Sequence, residues 1–593
     1  MGSAISAAGD RMRVARIVFL LWACFIARGA FYCAILPLWE GFDEYAHFGY
    51  VQYITTGRGW LVLPGAGNTR EVERSMALVP MPWTLRSDAP PHDTQESYWR
   101  LPADERQSRE RELMALPHSM AGQDAAGFVP IESQQPPLNY WLMAAFYPML
   151  AGLSLPARVG ALRLLNVLLA SVAVPAVWIT ARRTFDAIEG SAGGSRRVAT
   201  AVTAVLALMP EVFFDAARVA NSGLSLFLYS LLAVLCLRIL DGKRGAVLWA
   251  GGVLGLGLLS KAFFLAAVPV AAGAIVWAIL KGRARVQSAM ASLWLAAAIS
   301  GWWYVRNLRV TGSLSGVLQD AALRHLPIAE RLRHIPDVNW RAALDSTFLS
   351  HIWFGDWSFL QLRAWIYHVF ALLAVVALAG LVVAWARHAA ARGALSTLAA
   401  IYGFFCAGLA YHVLITYLAN GISSTAGWYL CALAVPETVL AAAGLRALAP
   451  PRIRAYVVGG VALAFALLDL YGMLFVALPY YTGVIGHRPN GSLESFHWTA
   501  LAHTGFGEVL RRLAVNKAAA VGPALIAAGG CAYLAATGTL AALGLTAEAR
   551  GHRRRPSSRM RKFEVLVRDC FFRSAFPRDL AAPKLGRVGG YGA

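Results

Sequence analysis

The chain has 593 residues, of which 58% are hydrophobic and only 15% are charged, and its formal net charge is +21. A soluble domain carries about 25% charged residues, and apolar runs of about 20 residues, the length that crosses a bilayer, recur throughout the sequence. The composition therefore excludes an ordinary soluble globular protein. The excess Lys and Arg lie mainly in short loops between apolar runs and in the tail, which the positive-inside rule explains without nucleic acid as a partner.

The first predicted membrane helix covers residues 15–36. Three arginines precede it: Arg11, Arg13 and Arg16. By the positive-inside rule they place residues 1–14 in the cytoplasm. No small-residue cleavage site follows the apolar run, so we expect the helix to be retained. The polar stretch 37–157 comes next and is predicted to form a large outer loop, on the side of the membrane opposite the cytoplasm.

The apolar run 138–153 within this loop has two interpretations. If it crosses the membrane, the arginine pairs at 182–183 and 196–197 fall outside, against the positive-inside rule. If it lies in the interface or re-enters the membrane, they fall inside. Its marginal length and its Tyr and Trp content favour an interfacial or re-entrant segment.

The remaining apolar runs alternate across the membrane without a conflict of charge. They are predicted to span at 160–181, 198–214, 223–240, 245–260, 262–280, 288–305, 365–386, 396–418, 428–447, 455–478 and 517–545. With the first helix this predicts an all-α integral membrane protein with about 12 transmembrane helices and both termini in the cytoplasm. The outer segments are 37–157, 306–364 and 479–516, and the basic tail 546–593 is predicted to be a disordered segment on anionic membrane lipids.

An acidic pair, Asp43 and Glu44, follows the first helix, and His47 lies one helical turn after Asp43. Adjacent carboxylates repel each other, which raises one pKa or recruits a cation, and such a carboxylate can act as general base on a hydroxyl. The three side chains could ligate a divalent cation, although their spacing is not diagnostic. An ordinary helix N-terminus, where acidic residues complement the helix dipole, explains the pattern equally well.

Two further motifs lie at the predicted outer surface. Glu132 and Gln135 stand before a Pro-Pro-Leu-Asn-Tyr-Trp junction, which also reads as a plain loop-to-helix connection. Lys261 ends the turn Gly-Leu-Gly-Leu-Leu-Ser-Lys between two apolar runs, where the positive-inside rule does not expect a cation. Its ammonium could meet a lipid phosphate, or it could simply snorkel to the interface.

Other charged residues offer weaker candidates. Arg306 and Arg309 follow the aromatic run Trp302-Trp303-Tyr304 at an outer helix end, where they indicate an anionic partner or an interaction with the helix dipole. Asp215 and Arg218, in the connection before Asn221, are expected to pair with each other. Arg28, Glu437 and Asp469 lie within predicted spans, where they are either functional or paired inside the bundle.

The order of these motifs resembles that of the GT-C superfamily of membrane glycosyltransferases. The shared elements are the acidic pair after helix one, Pro-Pro-Leu-x-Tyr-Trp, Gly-Leu-x-Leu-Leu-x-Lys and Trp-Tyr-x-Arg-Asn. Within that superfamily the chain is similar to bacterial relatives of protein O-mannosyltransferases and of the lipid A aminoarabinose transferase. The resemblance covers about residues 15–450, which we take as a GT-C-like catalytic module followed by C-terminal helices at 451–545.

This resemblance implies a polyprenyl-phosphate-linked sugar donor, used at the periplasmic or exterior face of a bacterial inner membrane, and a glycan, lipid or protein acceptor. By position, Asp43 is the catalytic base and Glu44 the second acidic member, while Lys261 and Arg306 are expected near the donor phosphate. The other expected substrate-binding residues are His47, Glu132, Gln135 and Asn221. Gln135 stands where the aminoarabinose enzymes have Lys, and Gly427-Trp428-Tyr429 replaces the relatives' Gly-Arg-Tyr.

Two other classes of function compete with this one. A transporter or flippase of a lipid-linked glycan would need paired half-repeats with broken helices, and no clear pseudo-symmetry is seen. A non-catalytic scaffold of envelope synthesis would need no donor site. No phosphate loop or nucleotide-binding fingerprint is present, which suits a lipid-linked donor better than a nucleotide sugar.

Overall fold

The computed structural model of the protein describes residues 2–63, 65–87, 92–127 and 129–549, and residues 1–548 form one compact unit. The described part contains helices and three isolated β-bridges but no strand, so the all-α prediction is confirmed. From residue 550 onward, the predicted basic tail lies outside the described residues.

The α-helices are Gly2–Ile35, Glu44–Thr55, Arg70–Leu78, Gln95–Tyr98, Ala103–Met114, Leu138–Phe146, Leu155–Ala170, Ala173–Glu189, Ala192–Leu206, Pro210–Ala216, Ser222–Leu240, Ala246–Leu258, Val268–Leu280, Val286–Thr311, Leu318–Ala322, Ile328–Arg333, Trp340–Ile352, Ala364–Arg387, Arg392–Asn420, Ala434–Leu448, Val457–Gly472, Leu478–Tyr481, Trp498–Thr504, Phe506–Ala514 and Pro523–Ala549. Short 3₁₀ helices lie at Trp83–Leu85, His118–Gly122, Tyr147–Leu150, Ala262–Ala267, Ile335–Asp337, Asp356–Ser358, Ala389–Ala391 and Gly427–Leu433, and one π-helical turn lies at Met473–Ala477.

Nine helical stretches in the described residues are long and apolar enough to cross a membrane, or ten if a bent pair counts as one span. They are Met12–Ile35, Leu155–Glu189, Ser222–Leu240, Ala262–Leu280, Ala364–Arg387, Ala389–Asn420, Gly427–Leu448, Val457–Tyr481 and Pro523–Ala547, with the pair Ala192–Leu206 and Pro210–Ala216 bent by 57°. The predicted count of twelve is not confirmed. Of the two other predicted spans, Ala246–Leu258 has only 13 residues, and Val286–Thr311 carries two arginines near its end.

The run 138–153 forms the nine-residue helix Leu138–Phe146 and a short 3₁₀ helix, and it is not among the membrane-length helices. Nine residues rise only about 14 Å, less than half the thickness of the hydrocarbon core. This agrees with the prediction that the segment does not cross the membrane.

Two helices of the bundle approach closely because glycines face each other. A Cβ at Gly380, in Ala364–Arg387, would lie 2.0 Å from the carbonyl oxygen of Gly444, in Ala434–Leu448. A Cβ at Gly444 would in turn lie 1.9 Å from the carbonyl oxygen of Ala377. Small residues of this kind allow backbones to touch, which is how helices gain packing energy in lipid.

The charges predicted within the spans are paired. Arg28 of the first helix forms a fully buried ion pair with Asp469, at 2.6 Å between Nη2 and Oδ2. The Asp469 carboxylate also accepts hydrogen bonds from the hydroxyls of Tyr32 and Tyr533. Glu437 pairs with His351 instead, at 2.8 Å. These charges therefore join helices of the bundle.

The stretch 37–157, which is predicted to be the first outer loop, folds around a hydrophobic core. Helix Glu44–Thr55 packs on Leu138–Phe146, and the ring of Tyr50 stacks on Tyr140 with centroids 3.9 Å apart. The buried members of this core lie between residues 38 and 162 and also include Val219 and Trp357. The last two are contributed by later connections between helices, so this core joins the loop to those connections.

Candidate active site

Asp43 lies in the tight turn between the first helix and Glu44–Thr55. Its backbone is in the left-handed region, with φ of 54°, and its side chain makes no capping hydrogen bond to the helix that it precedes. A non-glycine residue in this region costs about 1–3 kcal/mol and persists only where its surroundings impose it, as at functional sites. The half-buried carboxylate is thus not used as a helix cap, although Glu44 does lie in the first turn of the helix, as the dipole interpretation of the acidic pair expects.

Glu44 holds this turn in place. It is fully buried and its carboxylate receives two hydrogen bonds from Arg163, at 2.7 and 2.5 Å, in a bidentate ion pair. The backbone N–H of Val219 donates a third, at 2.9 Å. With its oxygens occupied, Glu44 fixes the neighbour of Asp43 and does not itself face the site.

The residues that precede Asp43 form hydrogen bonds with the segment 356–358. The Glu40 carboxylate accepts from the backbone N–H of Ser358 at 3.0 Å, and the N–H of Phe42 donates to Asp356 at 3.1 Å. Gly41 is needed because a Cβ there would lie 2.6 Å from the Cβ of Arg218. The Phe-Gly-Asp-Trp sequence, which contains Asp356, therefore supports the Asp43 turn.

Three charged groups influence Asp43 electrostatically. Burial raises the pKa of the Asp43 carboxyl to about 7, and the Glu132 carboxylate adds to the rise, whereas Arg218 and Lys261 oppose it. Arg218 forms an ion pair with Asp215, as expected, and its guanidinium lies 3.9 Å from Asp356. A carboxylate with a pKa near 7 is suited to accept a proton at neutral pH.

Among the described residues, Lys261 is a cation of this cluster without a carboxylate partner. In the described part of the chain no carboxylate oxygen lies within 4.0 Å of its ammonium, which instead packs 4.8 Å from the Phe263 ring centroid and 5.2 Å from that of Tyr429. Burial lowers the pKa of Lys261 to about 8, while Asp215, Glu132 and Asp43 counteract this fall and Arg218 adds to it. A half-buried ammonium held by aromatic rings is available to an anionic ligand.

The Pro-Pro junction and the lysine turn are joined directly. The N–H of Leu138 donates to the carbonyl of Leu259 at 3.0 Å, and Asn221 donates to the side-chain oxygen of Gln135 at 3.0 Å. Gln135 in turn donates to Glu132 at 3.2 Å. Gln135 and Asn221 thus hold Glu132, whose carboxylate acts electrostatically on both Asp43 and Lys261.

Two predicted site residues are engaged elsewhere. His47 is buried, hydrogen-bonds Tyr140 at 2.7 Å, and has its pKa held well below the usual value by burial. Arg306 donates to the backbone carbonyl of Val62 at 3.1 Å and lies 4.7 Å from the Trp303 ring centroid. The backbone N–H of His47 donates to the Asp43 carbonyl at 3.0 Å, but over the described residues no side-chain hydrogen bond or ion pair joins His47 or Arg306 to Asp43 or Lys261.

A divalent cation stays a prediction. Within residues 2–63, 65–87, 92–127 and 129–549, no three His, Cys, Asp or Glu side chains gather as a metal site would require. Glu44 and His47, expected to share a cation with Asp43, have Arg163 and Tyr140 as partners.

The structure adds residues that sequence reasoning did not assign. Arg163 and Asp356 position the Asp43 turn, and Trp428 packs against Phe42 with ring centroids 4.4 Å apart. A signal existed for Arg163, because a lone arginine near the start of a predicted span is a functional candidate by default. No signal of that kind marked the contact of Asp356 with Phe42, because the two residues are 314 positions apart in the sequence.

No protein-family profile and no curated protein matches the chain. Among solved structures, similar ones include ArnT from Cupriavidus metallidurans in the apo state, with a TM-score of 0.42 and 14% identity, and the same protein bound to undecaprenyl phosphate, with a TM-score of 0.40 and 15% identity. Each alignment covers 92% of this chain and 78% of the other.

Proposed function

We propose that this protein is a GT-C-type membrane glycosyltransferase that moves a sugar from a polyprenyl-phosphate donor to an acceptor hydroxyl at the outer face of the membrane. The observation that carries the proposal is that a cation and a carboxyl group lie in one cluster. Lys261 is a cation without a carboxylate partner among the described residues, and it lies within electrostatic reach of Asp43, a carboxyl group with a pKa near 7. The order of the sequence motifs, which resembles that of GT-C enzymes, supports the same class.

In the proposed reaction Asp43 takes the proton of the acceptor hydroxyl while the acceptor oxygen forms a bond to the anomeric carbon of the sugar. The bond from that carbon to the phosphate oxygen breaks, and the polyprenyl phosphate leaves with the electron pair. Lys261 binds the donor phosphate and stabilises the negative charge that it gains, as preorganised cations do at other sites of this kind. Glu132 raises the basicity of Asp43, and Glu44, held by Arg163, keeps the turn in place.

The topology that goes with this proposal places both termini in the cytoplasm and the Asp43 site at the periplasmic or exterior side of a bacterial inner membrane. The acceptor is a glycan, a lipid or a protein that carries a free hydroxyl. Polyprenyl phosphate is a membrane lipid, so donor and enzyme meet within the bilayer.

The test is a transfer assay with the purified protein in liposomes, using polyprenyl phosphates that carry radiolabelled sugars and a panel of acceptors. We expect Asp43→Asn to lower the rate of sugar transfer by about 10²–10⁴-fold, the range for loss of a general base, without changing the gel-filtration profile. Asp104→Asn is the matched control, since Asp104 is an exposed aspartate of the same outer loop. Full activity in Asp43→Asn would remove the catalytic role, and movement of labelled lipid across the bilayer without sugar transfer would favour a flippase.

A further inference from the structure

A polar cleft opens near the end of the first helix, and neither Asp43 nor Lys261 lines it. Its walls come from the exit of the first helix, the outer-loop helix Gln95–Tyr98, Tyr481 and the segment 512–517. The space enclosed within it is about 20 Å³, and the volume that includes its open mouth is about 340 Å³.

Three residues that line the cleft carry buried polar atoms without a hydrogen-bond partner in the described residues. They are Gln95 through Nε2, Tyr481 through its hydroxyl and Asn516 through Oδ1, and these residues are 1%, 3% and 5% exposed. Leaving one such group unsatisfied costs about 1–3 kcal/mol. Three unsatisfied polar groups in one cleft indicate that a polar ligand binds there.

The charge of the cleft is positive. In the part of the chain that the structure describes, no carboxylate lies within 4.0 Å of the Lys517 ammonium, which donates to the backbone carbonyl of Leu36. Burial and the nearby Arg163 hold the pKa of Lys517 well below its usual value. An anion in the cleft would remove this penalty by adding an opposite charge.

We propose that this cleft binds the phosphate of a membrane lipid head group, at a site separate from that of the sugar donor. The Lys517 ammonium, the Gln95 amide and the Tyr481 hydroxyl supply the donors that a phosphate needs, and Asn516 Oδ1 accepts from a hydroxyl of the same head group. A lipid is the favoured source because the cleft lies where the helix Gly2–Ile35 ends and shortly before Pro523–Ala549 begins, at the rim of the bundle.

The cleft is also connected to the candidate active site. The Leu36 carbonyl that accepts from Lys517 accepts from Arg163 as well, at 2.8 Å, and Arg163 holds Glu44. A head group bound at Lys517 would therefore sit against the chain segment that leads to Asp43.

The experiment measures binding to the purified full-length protein in detergent by intrinsic tryptophan fluorescence, for which Trp99 in the cleft wall is a reporter. All samples carry Lys261→Met, so that the proposed donor site cannot supply the signal. The probes are dioctanoyl phosphatidic acid, dioctanoylglycerol, which lacks the phosphate, and inorganic phosphate. Because this readout needs no catalysis, its outcome is independent of the glycosyltransferase proposal.

We expect saturable binding of dioctanoyl phosphatidic acid that Lys517→Met and the isosteric Gln95→Glu each weaken at least tenfold. The exposed Lys281, replaced by Met, is the matched control and should leave the affinity unchanged. Unchanged affinity in both cleft variants, equal binding of dioctanoylglycerol, or no saturable binding, as for a cleft that holds only water, would overturn the proposal. Inorganic phosphate that competes weakly supports it, whereas inorganic phosphate that binds as tightly as the lipid would overturn the lipid source. If Lys517→Met does not fold, Gln95→Glu decides.

Discussion

At the scale of single residues, Asp43 and Lys261 need opposite protonation states for the proposed reaction. Asp43 must be deprotonated to accept a proton, and its pKa is about 7, whereas Lys261 must be protonated to hold a phosphate, and its pKa is about 8. We therefore expect kcat/KM to rise with pH through about 7 and to fall again through about 8, since this parameter reports the groups of the free enzyme. The measurement is a pH profile of sugar transfer.

Lys261→Arg tests the alkaline limb of that profile. Arginine stays charged at every accessible pH, so the fall above about 8 should disappear while the acid limb remains. An alkaline limb that is unchanged in this variant would assign it to another group.

Glu132→Gln tests the acid limb. The Glu132 carboxylate helps to raise the pKa of Asp43, so its removal should lower that pKa and shift the acid limb toward lower pH. Asp104→Asn, which removes an exposed carboxylate of the same loop, should leave the profile in place. A shift to higher pH would contradict the electrostatic role of Glu132.

The buried pair of Arg163 and Glu44 makes a prediction about stability. Arg163→Met leaves a carboxylate buried without its partner, which typically costs about 3–5 kcal/mol, so the thermal unfolding midpoint in detergent should fall markedly. Arg74 and Glu112 form a matched ion pair on the same loop, but their side chains are 48% and 45% exposed. Arg74→Met should change the midpoint little, because exposed pairs contribute about 0–1 kcal/mol. Equal effects of the two variants would show that the Arg163 pair does not hold the turn.

At the scale of helices, the contact between Ala364–Arg387 and Ala434–Leu448 depends on two glycines. Gly380→Ala would bring a Cβ 2.0 Å from a backbone oxygen, so the helices must separate and we expect a lower unfolding midpoint. Gly403→Ala is the matched control, because nothing lies within 4 Å of a Cβ at that helical position. It should leave stability the same or slightly raise it, since alanine favours helix over glycine.

The helices themselves were predictable from sequence, whereas their contacts were not. Hydropathy and the placement of arginines located all twelve predicted segments on helices, because the bilayer requires long apolar helices whatever their neighbours. The nine-residue Leu138–Phe146 was predicted not to cross, for the same reason. The number of membrane-length helices is lower than predicted for two reasons. Ala246–Leu258 is too short, and Val286–Thr311 is not apolar enough, to be counted with the nine stretches.

The candidate site was only partly predictable. Lys261 could be chosen because a cation at an outer helix end is unusual, and Asp43 and Glu132 could be chosen because their motifs follow the order seen in GT-C enzymes. The structure places these three within electrostatic reach of one another. The partners of Glu44 and Arg306 could not be chosen, because Arg163 is 119 residues from Glu44 and Val62 is 244 residues from Arg306. Pairing over such separations is set by the packing of the bundle, which no local pattern encodes.

At the scale of the whole molecule, the proposal requires the Asp43 site to face away from the cytoplasm. In a variant without native cysteines, we expect Asp104→Cys to react with a membrane-impermeant maleimide in intact cells. Lys281→Cys, in a predicted cytoplasmic connection, should react only after permeabilisation. The reverse pattern would place the site in the cytoplasm and remove the proposed reaction.

The buried pair between Arg28 and Asp469 has a consequence for how the protein is made. The two residues are 441 positions apart, so at a synthesis rate of about 5–20 residues per second the arginine waits roughly 20 to 90 s for its partner to be translated. During that interval the first helix carries an uncompensated charge in the translocation channel or in lipid. Final assembly of the bundle must therefore follow the emergence of Val457–Gly472 from the ribosome, and a nascent chain that stops earlier would expose a charge that membrane proteases can recognise.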